Sequence, residues 1–192
     1  MITNDKEIRV VFICRGSTHD GLGHVMRSRS IALEIAKLSM VKIIVIGDEY
    51  VDALLFGREL DYEILSNEQA VMNSVTGFQP DIVFFDLLIF SENLFDILHA
   101  QYMTVSVSPI FNCITKTNLV FHRTKEQSPD WKQKDFNGLL KCDLKYAVVR
   151  EQCRKISTEE YKKNLKENPL AVAISMGGAD AENKTLTLLN AI

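Results

Sequence analysis

The sequence predicts an α/β fold in which helices cover both faces of a parallel sheet. Short apolar runs alternate along the chain with segments whose apolar residues recur at helical spacing. Residues 81–86 are apolar on both faces of the extended chain, which is typical of a central strand in such a sheet. The 192 residues suffice for one full domain of this class and the beginning of another.

The first unit of the predicted fold is a strand, a glycine loop and a helix. Residues 10–14 are an apolar run that indicates a buried strand, and the loop that follows carries Gly21, Gly23 and His24. The helix after the loop has apolar residues at helical spacing, namely Ile31, Ile35 and Leu38. Residues 41–47 are predicted as the second strand, which completes a βαβ unit with a right-handed crossover.

Strands and helices then alternate as far as residue 107. The predicted strands are residues 62–65, 81–86 and 102–107, and the predicted helices are residues 49–60, 67–76 and 92–100. Residues 123–138 are polar and indicate a surface loop, with a covering lid as the alternative. Residues 145–149 are predicted as a further short strand, and the charged residues 150–168 as a helix that ends before Pro169.

The order of strand, glycine loop and helix begins a second time at residue 170. Residues 170–175 are an apolar run, Gly177 and Gly178 follow it, and a helical pattern extends from there to the last residue. We therefore predict a first domain over residues 1–168. Residues 169–192 are predicted as the first strand-helix unit of a truncated second domain.

Charge and cysteine content exclude several classes of partner. The formal net charge is -3, so no overall positive field is available for binding nucleic acid. The four cysteines form neither a CxxC pair nor a dense pattern, which gives no support to a zinc site or a disulfide framework. Residues 1–7 lack the pattern of a secretory leader, and no apolar run approaches the roughly 20 residues that a membrane span needs. We expect a cytoplasmic protein without a membrane span, and the oligomeric state stays open.

The loop before the first helix does not match the common phosphate-binding motifs. Leu22 stands where a Walker A loop needs lysine, and Met26 stands where the dinucleotide fingerprint needs its third glycine. Two other interpretations stay open. One is a metal site formed by His19, Asp20 and His24, and the other is a turn in which His24 is merely hydrogen-bonded near the helix start. The family resemblance that other segments of the chain carry implies neither a metal nor an organic cofactor.

His24 lies where it could act as a catalytic base. A histidine at a helix N-terminus tends to remain neutral and able to take a proton. Asp86 ends a predicted strand at the carboxyl edge of the sheet, the edge that also carries the loop of His24. Its carboxylate could orient the imidazole, bind a sugar hydroxyl, or act only as a capping group. Gly177 and Gly178 precede a helix whose N–H groups form a second candidate anion site.

Several segments of the chain carry a resemblance to a known family. They are Arg15 with residues 21–27, residues 30–33, residues 145–151, and residues 175–180 with Asn183. Together they resemble the pseudaminic-acid pathway nucleotide-sugar hydrolases and their spore-coat-polysaccharide relatives, over the length of the chain. That family in turn resembles the two-domain GT-B glycosyltransferases. The resemblance therefore implies a Rossmann-like N-terminal domain of GT-B type.

The resemblance also implies an activity and a set of site residues. His24 would activate water for attack at the anomeric carbon of a UDP-linked deoxyamino sugar, releasing UDP in surface polysaccharide or nonulosonic acid biosynthesis. Substrate-binding residues would be Arg15, Gly21, Gly23, Arg27 and Asp86, and nucleotide-binding residues would be Gly177, Gly178, Asp180 and Asn183. A GT-B glycosyltransferase with a UDP-sugar donor and a non-catalytic sugar-nucleotide binding protein are the alternatives. The family has a tyrosine after the Asp86 position, where this chain has Leu87, Leu88, Ile89 and Phe90.

Overall fold

A computed structural model describes residues 7–18, 20–55, 60–108, 110–123, 132, 135–149, 157–167 and 184–191. The strands are β1 (Arg9–Gly16), β2 (Met40–Gly47), β3 (Asp61–Leu65), β4 (Ile82–Asp86), β5 (Met103–Ser106), β6 (Leu119–His122) and β7 (Leu139–Cys142). The helices are α1 (Gly23–Ile35), α2 (Glu49–Leu55), α3 (Gln69–Phe78), α4 (Glu92–His99), α5 (Thr158–Glu167) and α6 (Lys184–Leu189). Within the described residues, no helix is both long enough and apolar enough to cross a bilayer.

All pairings between these strands are parallel, and the described sheet has the order β3-β2-β1-β4-β5-β6-β7. The chain builds the sheet outward from β1 in one direction as far as β3. It then crosses back to place β4 on the other side of β1. This α/β Rossmann-like fold confirms the predicted fold class. The switch point between β1 and β4 is where open parallel sheets bind their ligands.

The core consists of two apolar layers, one on each face of the sheet. Val11 and Ile13 of β1 pack into the layer that also receives α3 and α4. Val10 and Phe12 alternate with them and pack into the layer under α1. Because both faces are covered, residues 10–14 of β1 and residues 82–85 of β4 are all apolar, as the strand predicted over residues 81–86 had indicated. Asp86 ends β4 and is fully buried although it is charged, so its contacts must account for its burial.

Two glycines face each other where β1 and β2 end. Gly16 and Gly47 are register partners, and a Cβ atom built on Gly47 would lie 1.9 Å from the carbonyl oxygen of Gly16. Backbone atoms cannot yield as a flexible side chain would. The tight ends of β1 and β2 therefore depend on the absence of a side chain at position 47, next to the loop that carries the candidate site.

We expect Gly47→Ala to lower the free energy of unfolding by about 1–3 kcal/mol, because the added methyl must displace the backbone of β1. Urea denaturation measures the change. Gly77→Ala is the matched control, since no atom lies within 4 Å of a Cβ built in that part of α3. The free energy of unfolding of the control should rise by up to about 1 kcal/mol, because alanine has a higher helix propensity than glycine. Equal losses in the two variants would contradict the proposed clash.

The part of the chain after β5 differs from the prediction. Residues 145–149, predicted as a strand, begin in a 3₁₀ turn at Leu144–Tyr146, where the Asp143 side chain accepts a hydrogen bond from the Lys145 N–H. Strands β6 and β7, four residues each, were not predicted. They are short, and β7 alternates half-buried and exposed residues around a lysine, so the apolar signal is weak.

Two further expectations concern helix ends and the second domain. Leu38 was expected on the apolar face of the first helix, but α1 ends at Ile35 and Leu38 is 88% exposed. The strand predicted over 170–175 lies outside the described residues. Helices α5 and α6 fall within the segments that were predicted to be helical. The second domain therefore stays a prediction.

Candidate functional site

Asp86 is a buried carboxylate at the switch point of the sheet. It is the last residue of β4 and the register partner of Cys14 in β1. Its Oδ2 atom accepts hydrogen bonds from Arg27 Nε at 2.8 Å and from Ser28 Oγ at 3.2 Å, and Arg27 Nη2 donates to Oδ1. A buried carboxylate is tolerated when a cation and several donors surround it in this way.

The donors to Asp86 come from one face of the first helix. His24, Arg27 and Ser28 are spaced three and four residues apart, so α1 presents all three side chains to the end of β4. His24 Nδ1 lies 2.7 Å from Asp86 Oδ1. The arrangement depends on α1 beginning at Gly23, immediately after the loop, because that start places His24 in the first turn beside the strand end.

His24 Nδ1 faces both an acceptor and a donor. Asp86 Oδ1 is 2.7 Å away and Arg27 Nη2 is 3.1 Å away. The carboxylate is the closer of the two, and only an N–H group can donate to it, so we assign the proton of the neutral ring to Nδ1. Nε2 then carries the lone pair. A histidine in this tautomer can accept a proton from water or from a hydroxyl group, with the carboxylate holding the ring.

The imidazole lies in a cleft at the carboxyl edge of the sheet. The cleft has a volume of about 330 Å³ and is lined by Arg15, Asp20, His24, Leu88 and Ile89. Arg15 Nη2 is 2.5 Å from Glu68 Oε1, in a partly exposed ion pair. One part of the lining is therefore charged and the other is apolar, which suits a ligand with both kinds of surface.

The glycines of the loop have different local roles. Gly21 has φ of 76°, a left-handed conformation that favours glycine, and its N–H donates to the carbonyl of Ser17 at 2.9 Å. A Cβ atom built on Gly23 would meet nothing within 4 Å. Gly21 is therefore needed for the shape of the turn, whereas Gly23 leaves open space at the start of α1. His19 lies outside the described residues.

The structure brings together four of the predicted site residues. His24, Arg27 and Asp86 form one hydrogen-bonded group, and Arg15 lines the same cleft as His24. The Nε and Nη2 atoms of Arg27 contact Asp86, and substrate binding by Arg27 stays a prediction. The four predicted nucleotide-binding residues, Gly177, Gly178, Asp180 and Asn183, lie outside the described residues.

Sequence reasoning missed two polar residues that contact the predicted site residues Asp86 and Arg15. Ser28 could have been found, because it follows His24 by four positions on the same helix face. Glu68 could not, because its contact with Arg15 joins residues 53 positions apart. Across the described part of the chain, no group of three or more His, Cys, Asp or Glu residues is placed to hold a metal ion. Asp20 and His24, two of the three residues considered as metal ligands, line the cleft, and the described residues around them form no such group.

No protein-family model matches the chain. The chain is 22% identical over 191 residues to an uncharacterized protein, MJ1062, of Methanocaldococcus jannaschii. The match covers 95% of this chain and 39% of that protein, so the chain spans about two fifths of the length of its relative. The relative has no described activity to compare with the site, and a functional assignment must therefore depend on the geometry and on the residues themselves.

Two buried cysteines, Cys14 and Cys113, are expected to react slowly with alkylating reagents. Burial, with the neighbouring carboxylate of Asp86, raises the pKa of the Cys14 thiol, and burial raises that of Cys113 to about 11. Cys142 is only half-buried. Because the thiolate is the nucleophile, iodoacetamide at pH 8 should modify Cys142 at least about tenfold faster than either buried thiol.

Peptide mass spectrometry over time measures these rates. The urea-unfolded chain is the control, because unfolding removes the burial that protects Cys14 and Cys113. There the three thiols should react at similar rates. Modification of Cys14 as fast as Cys142 in the folded protein would show that the end of β1 opens readily to solvent.

Proposed function

We propose that the protein is a nucleotide-sugar hydrolase that releases UDP from a UDP-linked deoxyamino sugar by attack of water at the anomeric carbon. The contact between His24 Nδ1 and the buried Asp86 carboxylate carries this proposal. It leaves Nε2 free to accept a proton in a cleft at the switch point of a Rossmann-like sheet. The resemblance of residues 21–27 to the pseudaminic-acid pathway hydrolases supports the same reaction class.

The proposed reaction is a displacement with a proton acceptor. Water attacks the anomeric carbon as its proton passes to His24 Nε2, and the bond from that carbon to the diphosphate oxygen breaks. The bonding electrons leave with UDP, so the products are a free sugar and a nucleoside diphosphate. Asp86 holds the ring and stabilises the imidazolium that forms. Arg27 and Ser28 in turn hold Asp86.

The charged part of the cleft suits the leaving group. Arg15 lines the cleft, and its guanidinium offers further donors beyond the Nη2 group that Glu68 engages. A diphosphate has the charge that such donors recognise. In the proposed two-domain enzyme of GT-B type, Gly177, Gly178, Asp180 and Asn183 bind the remainder of the nucleotide.

The proposal is tested by incubating the full-length protein with a UDP-linked deoxyamino sugar in ¹⁸O-labelled water. We expect free sugar that carries one ¹⁸O atom and UDP that carries none, because the carbon–oxygen bond breaks. Label in the phosphate product would contradict the mechanism. The same reaction with added acceptor sugars separates hydrolysis from transfer. A product that appears only with an acceptor would identify a glycosyltransferase.

A non-catalytic sugar-nucleotide binding protein is the second candidate, and one observation favours it. Leu88 and Ile89 line the cleft and provide no polar group for the reaction. The family that the chain resembles has a tyrosine in this segment. Tight binding of the UDP-sugar, measured by calorimetry, without any release of free sugar over hours would identify this function.

A further inference from the structure

We propose that Glu68 is a positioning residue, which holds the Arg15 guanidinium in the orientation that receives the diphosphate of the substrate. This inference rests on the proposed function and deepens it. Arg15 lines the cleft that contains His24, whereas Glu68 pairs with Arg15 and does not line the cleft itself. Glu68 therefore acts through Arg15 and not by contact with the ligand.

The carboxylate of Glu68 is engaged at both of its oxygen atoms. Oε1 is 2.5 Å from Arg15 Nη2, and Oε2 accepts a hydrogen bond from the Ser91 N–H at 2.8 Å. Ser91 is the N-cap residue of α4, and its own side chain makes no capping hydrogen bond. Glu68 thus pairs with a backbone N–H at the positive end of this helix, which favours a carboxylate there. The second contact fixes the carboxylate to which Arg15 is paired.

The backbone next to Ser91 is itself anchored. The side chain of Asn112 accepts a hydrogen bond from the Phe90 N–H and donates one to the Phe90 carbonyl, both at 3.0 Å. The ring of Phe90 is buried in the apolar layer of α3 and α4. The contact between Arg15 and Glu68 therefore ties a side chain at the end of β1 to a rigid part of the fold.

This pair changes what it costs to bind an anion at Arg15. An arginine side chain has many rotamers, and one that is free in solvent loses that freedom when it binds a ligand. The Arg15 side chain is 33% exposed, and its contact with Glu68 occupies Nη2. The guanidinium has further N–H donors for a diphosphate. Glu68 therefore orders Arg15 before the ligand arrives and leaves part of the guanidinium for the ligand.

A double-mutant cycle with the full-length protein tests this role. Glu68→Ala should lower kcat/KM for a UDP-linked deoxyamino sugar by about three- to tenfold, the usual effect of leaving one such side chain to be ordered by the ligand. In protein that already carries Arg15→Ala, the same change should lower kcat/KM by less than about twofold. Equal losses in the two backgrounds would overturn the proposal. A gain in kcat/KM would also overturn it, because Glu68 would then compete with the diphosphate for Arg15.

Glu68→Gln separates the two contacts of the carboxylate. The amide oxygen can still accept from the Ser91 N–H, but the variant has no charge to pair with Arg15. It should therefore lose as much kcat/KM as Glu68→Ala while the start of α4 stays intact. Full activity in Glu68→Gln would contradict the proposal. Glu63→Gln is the matched control and should leave kcat/KM unchanged, since Glu63 pairs with Lys42 and neither residue lines the cleft.

A measurement independent of turnover separates this inference from the proposed function. The dissociation constant of UDP, measured by calorimetry, should rise about three- to tenfold in Glu68→Ala and less than about twofold when the change is made in the Arg15→Ala background. This coupling without any release of free sugar would refute hydrolysis but support the positioning role. Release of free sugar without the coupling would do the reverse. No binding of UDP to the unaltered protein would overturn both.

Discussion

His24→Ala is expected to lower the turnover of a UDP-linked deoxyamino sugar by about 10²–10⁴-fold, the usual contribution of a positioned general base. The loss should appear in kcat, with little change in KM, because the imidazole acts on the proton of water and not on the nucleotide. Steady-state release of UDP measures both constants. Added imidazole should restore part of the activity, since the cavity left by the ring opens to the cleft.

The control for this prediction is a histidine of comparable burial outside the cleft. His99 contacts the Thr104 hydroxyl at 3.0 Å and stacks on Phe95, so it belongs to the packing of α4. His99→Ala can affect stability but should leave kcat within about twofold once the folded fraction is matched. Unchanged turnover in His24→Ala would exclude the catalytic role of His24.

Arg27→Ala is expected to lower the free energy of unfolding by about 3–5 kcal/mol, because it removes the cation that balances a buried carboxylate. Asp86 is fully buried, and in this variant its side chain would keep its contacts with Ser28 and His24. Urea denaturation at neutral pH measures the loss. Activity should fall together with stability, since the carboxylate that orients His24 is no longer held.

Two comparisons separate the buried charge from lost packing. Adding Asp86→Asn to Arg27→Ala removes the unpaired charge, so the double variant should recover part of the stability. Lys37→Ala breaks an exposed pair with Glu34 and should change stability by less than about 1 kcal/mol. A double variant no more stable than Arg27→Ala would mean that the loss comes from the packing of the arginine stem.

Much of the fold could be predicted because its signals are local. A strand buried on both faces must be apolar throughout, and a helix lying on it must be apolar at every third or fourth residue. These patterns predicted β1 to β5 and α1 to α4, including the end of β4 at Asp86. They failed for β6 and β7, which have only four residues each: β6 ends in a polar residue, His122, and β7 has no fully buried residue.

By itself the sequence determined the order of β1 to β5 and α1 to α4, and it placed His24 and Asp86 at the same edge of the sheet. The parallel connection rule suffices for this, because it assigns every strand end to one edge. Only the tertiary structure decided which atoms meet. The contacts of Asp86 with His24 and of Arg15 with Glu68 join residues 62 and 53 positions apart. Such contacts depend on how α1 and α3 lie on the sheet, and no local pattern encodes that geometry.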